Sequence, residues 1–235
     1  MQTYRLYLNE DLSKNNIVLL EEKDSHYLKT VLRLRVGDKI NLFNAGSGEF
    51  EGVINEIAKK SITVLLKNRL DKKILSNNLT LAIIFAPIKS VKNEFIIEKA
   101  TELGVNIIQP VLTARTVVRS INRERYYLAT KEATEQCGRL DVPEIKELIG
   151  IYEIFKNYPD YKIIFCNEYE QKISFKDLKN IQGKVALLTG PEGGFSAEEV
   201  AFITKQPNVI SVSLGNNILR AETAIILGLG LIKNL

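Results

Sequence analysis

Apolar and polar residues alternate through much of the first seventy positions. Tyr4, Leu6 and Leu8 are interleaved with Arg5 and Tyr7, and Ile40, Leu42 and Phe43 follow the turn signal Val36-Gly37-Asp38. Ala45-Gly46-Ser47-Gly48 connects this run to Phe50–Ile57, and Lys59-Lys60 turns the chain into Ile62–Leu66. A period of two predicts strands at each of these runs. Between the first run and Gly37, the spacing of Leu28, Val31, Leu32 and Leu34 predicts one short helix over Ser25–Arg35. Several short strands with a single helix predict a small barrel.

Residues 68–78 are polar and mixed in charge, and they are predicted to link two domains, 1–72 and 73–235. From Leu79 onward, strand runs alternate with helical runs. Leu79–Phe85, Ile107–Leu112, Ile163–Cys166, Val185–Thr189 and Val209–Leu214 are predicted strands; Val91–Leu103 and Arg123–Cys137 are predicted helices. Gly104 and Gly138 stand where helix C-caps belong. This alternation predicts an α/β domain with a mostly parallel sheet. The closing segment Ala224–Ile232 is apolar on every face, so its helix belongs in the core or at a subunit interface.

Composition narrows the chemistry. The 235 residues fit one large domain or two small ones. His26 is the sole histidine, which excludes any site needing two imidazoles, and it is read as structural. Cys137 and Cys166 form no C-x-x-C pair, so neither a disulfide scaffold nor a cysteine zinc cluster is expected, and no metal site is. No apolar run reaches the roughly 18 residues of a membrane span, and the N-terminus lacks a signal-peptide core. A cytoplasmic protein with no membrane partner is the expectation. The net charge of +4 excludes a polybasic arm but permits a local basic patch.

Two strand-to-helix turns are candidate ligand loops. Leu188-Thr189-Gly190-Pro191-Glu192-Gly193-Gly194-Phe195-Ser196 runs from a strand through a glycine-rich turn into a helix whose start has capping-box spacing at Ser196 and Glu199. It lacks the Lys-Ser/Thr of a phosphate loop and the dinucleotide fingerprint, and its Pro and Glu suit a neutral or cationic ligand. A tight turn that needs glycine for positive φ accounts for it equally well. Leu214-Gly215-Asn216-Asn217-Ile218-Leu219-Arg220-Ala221-Glu222-Thr223 repeats the arrangement, with Arg220 and Glu222 at the entrance of the last helix. An ion pair capping that helix is the plainer reading.

Two stretches concentrate basic residues. His26–Val36 holds Lys29, Arg33 and Arg35 with no acid, and 115–125 holds Arg115, Arg119, Arg123 and Arg125 with one Glu. Either stretch suits phosphates, and either is also satisfied as a solvated surface. Residues 151–235 carry nine charges of each sign, so the basic surplus lies in the first 150 residues.

The glycine loop Gly190–Ser196, the Leu214–Ala224 segment, Glu98-Lys99-Ala100-Thr101-Glu102-Leu103-Gly104-Val105, Glu135-Gln136-Cys137-Gly138-Arg139 with Val142-Pro143, and His26–Asp38 occur in the order of one known family. Together they span nearly the whole chain and resemble the RsmE family. The departure is Asn216-Asn217, where the family usually shows Pro-Arg. That resemblance implies a PUA-like β-barrel followed by a SPOUT α/β domain with a C-terminal trefoil knot. It implies a homodimeric 16S ribosomal RNA (uracil-N3)-methyltransferase that uses S-adenosyl-L-methionine.

Carried onto this chain, the resemblance implies a cofactor pocket of Leu188, Gly190, Glu192, Gly193, Leu214, Gly215 and Leu219. It places Arg220 and Glu222 at the reacting centre, with Glu222 ahead of Glu192 as base or orienter. Lys29, Arg33, Arg35, Arg115 and Arg119 are the expected RNA contacts. The rival readings are a SPOUT ribose 2′-O-methyltransferase and a non-catalytic RNA-binding assembly factor. A nucleotide hydrolase is weakest, because the phosphate-loop Lys is missing.

Overall fold

The computed structural model describes residues 4–14, 16–71, 79–89, 92–170, 173–178 and 181–234. Two compact units result. Met1–Leu75 forms the first together with Thr134–Asp141, and Ser76–Ala133 with Val142–Leu235 forms the second. Residues 72–78 of the predicted linker lie outside the described residues, and 68–70 belong to a strand.

The first unit contains β1 (Tyr4–Tyr7), β2 (Ile17–Leu20), α1 (Glu22–His26), β3 (Lys39–Asn44), β4 (Gly48–Ile57) and β5 (Ile62–Leu70). The strands form one sheet in the order β1-β3-β4-β5-β2, antiparallel except for the β1–β3 pair. Alternation buries Leu6, Ile40, Leu42, Ile54, Ile62 and Val64 on one side as the core. β2 was missed because Ile-Val-Leu-Leu shows no alternation, although Val18 and Leu20 point inward while Ile17 and Leu19 are exposed.

The single helix expected over Ser25–Arg35 is a composite. A short α1 passes into one π-helical segment, Tyr27–Val31, and Arg33 then takes a left-handed φ of 56°. Leu28 is the segment's buried anchor. Non-glycine residues seldom adopt that conformation, and π-helical turns gather at functional positions.

The second unit contains β6 (Leu79–Phe85), α2 (Lys92–Glu102), β7 (Ile107–Leu112), most of α3 (Arg123–Cys137), β8 (Glu144–Ile145), β9 (Ile149–Gly150), α4 (Ile154–Asn157), β10 (Lys162–Cys166), β11 (Gly183–Thr189), α5 (Ala197–Thr204), β12 (Val209–Val212) and α6 (Ala221–Lys233). Its sheet is parallel, in the order β12-β10-β11-β6-β7-β8, with β9 paired to β7. The short strands β8 and β9 were missed, since two residues carry no readable period. The central strands are buried on both faces. Leu81, Ile83, Val185 and Leu187 pack toward one core cluster, and Ala82, Ile84, Ala186 and Leu188 toward the other. Two-sided burial of this kind produces near-continuous apolar runs rather than alternation.

α6 is not buried all round. Ala221, Ile225, Gly228, Leu229 and Ile232 face the core, whereas Leu227 is 38% exposed. A Cβ on Gly228 would stand 2.9 Å from both Leu187 methyls, so glycine lets α6 lie flush against β11. That seat fixes where the N-terminal end of α6, and with it Arg220, is held.

Candidate active site

β12, β10 and β11 are neighbours in a parallel sheet, so their carboxyl ends emerge on one edge. Open α/β sheets bind ligands beyond such ends. Here the three following loops, Cys166–Tyr169, Thr189–Phe195 and Ser213–Ala221, enclose a cavity of about 290 Å³. That volume stands at the lower edge of the ~300–1,000 Å³ common for small-molecule sites.

Each loop is held in a defined shape. In the glycine loop, Gly194 N–H donates to Pro191 O at 2.9 Å, closing a turn with φ of +66° at Gly194. A Cβ on Gly194 would meet Glu168 Oε1 at 2.7 Å, and one on Gly190 would meet the Phe195 ring at 2.8 Å. The packed Phe195 ring requires glycine at Gly190, and the left-handed φ of +66° favours it at Gly194. Phe195 is anchored in turn by an edge-on contact with Phe165 at 5.2 Å between ring centres. After β10, Asn167 N–H donates to Val212 O at 3.0 Å and its side chain to Ser211 Oγ at 3.1 Å, tying that loop to β12. Gly215 follows β12 with φ of +121° and donates to Ser213 Oγ.

The cavity wall combines apolar groups with few charges. Phe195, Val200, Leu214 and Leu219 supply apolar surface. Cys166 adds a thiol that burial pushes up to about 12, so it is protonated at neutral pH. Thr189, 2% exposed, ends β11 with a buried hydroxyl that has no hydrogen-bond partner among the described residues. The lining charges are the carboxylates of Glu168 and Glu192 and the guanidinium of Arg220. A wall with more negative than positive charge disfavours a polyphosphate and accepts a cationic small molecule.

Of the residues expected at the pocket, the structure brings Gly190, Glu192, Leu214, Gly215, Leu219 and Arg220 around the cavity. Leu188 is fully buried in the β11 core, and Gly193 turns toward Arg115 rather than inward. Glu222, half-buried in the first turn of α6, is not on the cavity lining. The loop after β10, with Glu168 and Tyr169, was missed. Its four residues carry no motif, and only the strand order shows β10 lying between the two glycine-bearing strands.

Three arginines of the 115–125 stretch bond acceptors of the chain while remaining exposed. Arg115 Nη1 donates to Gly193 O at 2.7 Å, Arg123 pairs with Glu147, and Arg125 pairs with Glu94 at 2.7 Å. Arg119 is exposed. In the first unit, Lys29, Arg33 and Arg35 are all exposed, beside exposed Tyr27, Val31 and Val36. Among the described residues no cluster of side chains suits a metal ion, and no helix is long and apolar enough to cross a membrane.

A parallel sheet whose glycine-bearing loops follow β11 and β12, on either side of β10, comes after a β-rich unit with an exposed basic segment, and both parts match RNA methyltransferases. The family model for an RNA methyltransferase domain matches residues 75–233, and that for an RNA methyltransferase PUA domain matches 20–67. The chain belongs to the ribosomal RNA small subunit methyltransferase E family. The member from Rickettsia conorii is 39% identical over 99% of this chain and 96% of its own length, and a Buchnera aphidicola member is 32% identical over 94% and 92%. Among solved structures, the Neisseria gonorrhoeae ribosomal RNA small subunit methyltransferase E bound to S-adenosyl methionine matches with a TM-score of 0.90 at 28% identity, covering 99% of this chain and 98% of that one. A Legionella pneumophila methyltransferase with bound S-adenosylmethionine gives 0.89 at 28% identity, covering 100% and 98%. These matches carry the fold: an α/β RNA methyltransferase domain preceded by a PUA domain.

Proposed function

We propose that this protein is a cytoplasmic enzyme that transfers a methyl group from S-adenosyl-L-methionine to N3 of a uridine in 16S ribosomal RNA of the small subunit. The observation that carries this reading is the cavity at the ends of β10, β11 and β12, glycine-walled and lined by Glu168, Glu192 and Arg220, in a chain of this family. A Thr189 hydroxyl without a partner among the described residues and an excess of carboxylate on the wall fit a cofactor that is uncharged at its purine and cationic at its sulfur. When bound, S-adenosylmethionine supplies an electrophilic methyl group on a sulfonium.

The chain's own residues do the rest. Backbone groups of the glycine loops would hold the adenine edge, with Leu214 and Leu219 against its ring; Leu188 is buried in the β11 core that carries the first of these loops. Uracil N3 carries an imide proton and is a poor nucleophile until that proton leaves. A carboxylate removes or orients it, and Glu192 on the lining is better placed than Glu222, which sits in the first turn of α6. Arg220 faces the charge that develops on the uracil carbonyl oxygens. The trefoil knot and the homodimer belong to this reading, with the exposed side of α6 around Leu227 as the contact between copies.

The deciding experiment is methyl transfer from labelled cofactor to small ribosomal subunits that lack the modification, followed by mass spectrometry of the nucleosides. The label is expected in N3-methyluridine. Label in a 2′-O-methylated ribose would replace this reading with the rival one, and binding of RNA without transfer would leave a non-catalytic factor.

RNA contact is assigned to Lys29, Arg33 and Arg35 on the π-helical segment and its exit, with Arg119 and the remaining donors of Arg115 in the second unit. Replacing Lys29, Arg33 and Arg35 together with alanine is expected to flatten the logarithmic salt dependence of RNA binding by about two, at roughly 0.7 per phosphate contact. Binding of S-adenosylmethionine should not change. An unaltered salt slope would remove these residues from the RNA interface.

A further inference from the structure

The glycine loop is joined to a part of the chain that no motif connects with it. The turn after β7, Thr113–Thr116, is closed on itself: Thr116 N–H donates to Thr113 O at 3.2 Å, Thr113 N–H to Thr116 Oγ1 at 2.9 Å, and the two hydroxyls meet at 2.8 Å. Both threonines are buried. Two bonds run from this turn to the glycine loop and its helix. Ala114 N–H donates to Glu199 Oε1 at 2.7 Å, and Arg115 Nη1 donates to Gly193 O at 2.7 Å.

Glu199 is 2% exposed. Its other oxygen accepts from Ser196 N–H at 2.8 Å, while Glu199 N–H donates to Ser196 Oγ at 3.2 Å. A capping box needs only the reach back to Ser196. The bond to Ala114 is extra, and it makes this carboxylate a bridge between α5 and the turn after β7. Neither Arg115 nor Glu199 lies on the cavity wall, but Gly193 directly follows Glu192, which does.

We propose that Arg115 and Glu199 are positioning residues, a two-point clamp that holds the glycine loop in its cofactor-binding shape. The physical need is specific. Consecutive glycines lose more conformational freedom on ordering than any other residues, so an untethered loop would have to be ordered by the cofactor itself. The clamp completes that ordering beforehand. It also gives Arg115 a role distinct from phosphate contact: the guanidinium is aimed at a carbonyl of the loop. The inference rests on the cofactor reading above.

The test uses the full-length protein and titration with S-adenosylmethionine, together with KM values for cofactor and for small subunits. Arg115→Ala is expected to weaken cofactor binding about tenfold, the scale of losing one charge-assisted hydrogen bond. Arg115→Lys keeps the charge without the planar fork and should fall between it and the wild type. Glu199→Gln, which turns one acceptor oxygen into a donor, should weaken binding similarly. In Glu199→Gln, which touches no assigned RNA donor, the KM for small subunits should hold within twofold and the salt slope of RNA binding should not change, whereas Arg115→Ala also removes an assigned RNA contact and should lower that slope by about 0.7.

Ser196→Ala is the control for a merely structural role. It removes the hydroxyl of the cap but leaves both clamp bonds, so it should lower Tm without changing cofactor affinity. Cofactor affinity unchanged in Arg115→Ala and Glu199→Gln overturns the clamp. So does an Arg115→Ala defect confined to RNA. A wild-type protein that binds no S-adenosylmethionine overturns the cofactor reading instead, and the first titration shows it before any variant is compared.

Discussion

Arg220→Ala is expected to reduce kcat by about 10²–10³-fold, the range for removing one donor aimed at developing negative charge. The affinity for S-adenosylmethionine should stay within about threefold, because the remaining cavity wall is unaltered. Arg220 occupies the N-cap position of α6, yet its side chain makes no capping hydrogen bond. Alanine there removes no cap, so a loss of activity cannot be attributed to unwinding the helix. Its guanidinium is exposed and borders the cavity, while the helix behind it is fixed to β11 at Gly228. An exposed side chain on a helix seated against the sheet suits a group that must meet a base delivered by a large RNA. Single-turnover methyl transfer at saturating cofactor, set beside calorimetric cofactor binding, separates the two effects. Equal losses in both would make Arg220 a cofactor-binding residue and remove it from the chemical step.

The two glycine loops were legible because they carry physical constraints in their own sequence. Gly190 and Gly194 stand where a Cβ collides, and Ser196 with Glu199 has the spacing of a helix start. The parallel sheet was legible for a similar reason, since strands covered on both faces must be apolar throughout. The third wall of the cavity was not. Cys166-Asn167-Glu168-Tyr169 becomes part of a site only because β10 lies between β11 and β12, and strand order is a long-range fact. The composite helix at Glu22–Val31 was misread for a local reason. Its apolar spacing fits either helix type, and neither the π-helical turn nor the left-handed Arg33 has a signal in residue type. The basic stretch at 115–125 suits either phosphates or a solvated surface by its sequence, and in the structure Arg115, Arg123 and Arg125 stay exposed while each bonds an acceptor of the chain.

The largest stability effect is expected at a residue the sequence gives no reason to notice. Arg5, in β1, projects its guanidinium between a buried carboxylate and the end of a helix. Nη2 lies 2.9 Å from Glu49 Oε2, and the Glu49 side chain has no solvent exposure. On the other edge, Nη1 donates to Thr134 O and Glu135 O, both at 3.0 Å, and Nη2 donates to Arg139 O at 2.9 Å. One cation thus neutralises a buried acid and satisfies carbonyls at the C-terminal end of α3, where the helix dipole is negative. Its face also covers the Phe43 ring at 3.9 Å. Arg5→Ala would take the guanidinium away from the buried Glu49 carboxylate, which also accepts from Asn41 Nδ2 at 2.7 Å. Breaking one side of such a pair costs about 3–5 kcal/mol, a large share of the roughly 5–15 kcal/mol that holds a domain folded. Denaturant unfolding should show that loss as a lower midpoint. Arg5→Met combined with Glu49→Leu should recover more than half of it, since no charge is then left uncompensated. Recovery would remain incomplete, because Met cannot donate to the three carbonyls. A loss below about 1 kcal/mol in Arg5→Ala would mean that water reaches Glu49 and that the pair behaves as a surface ion pair.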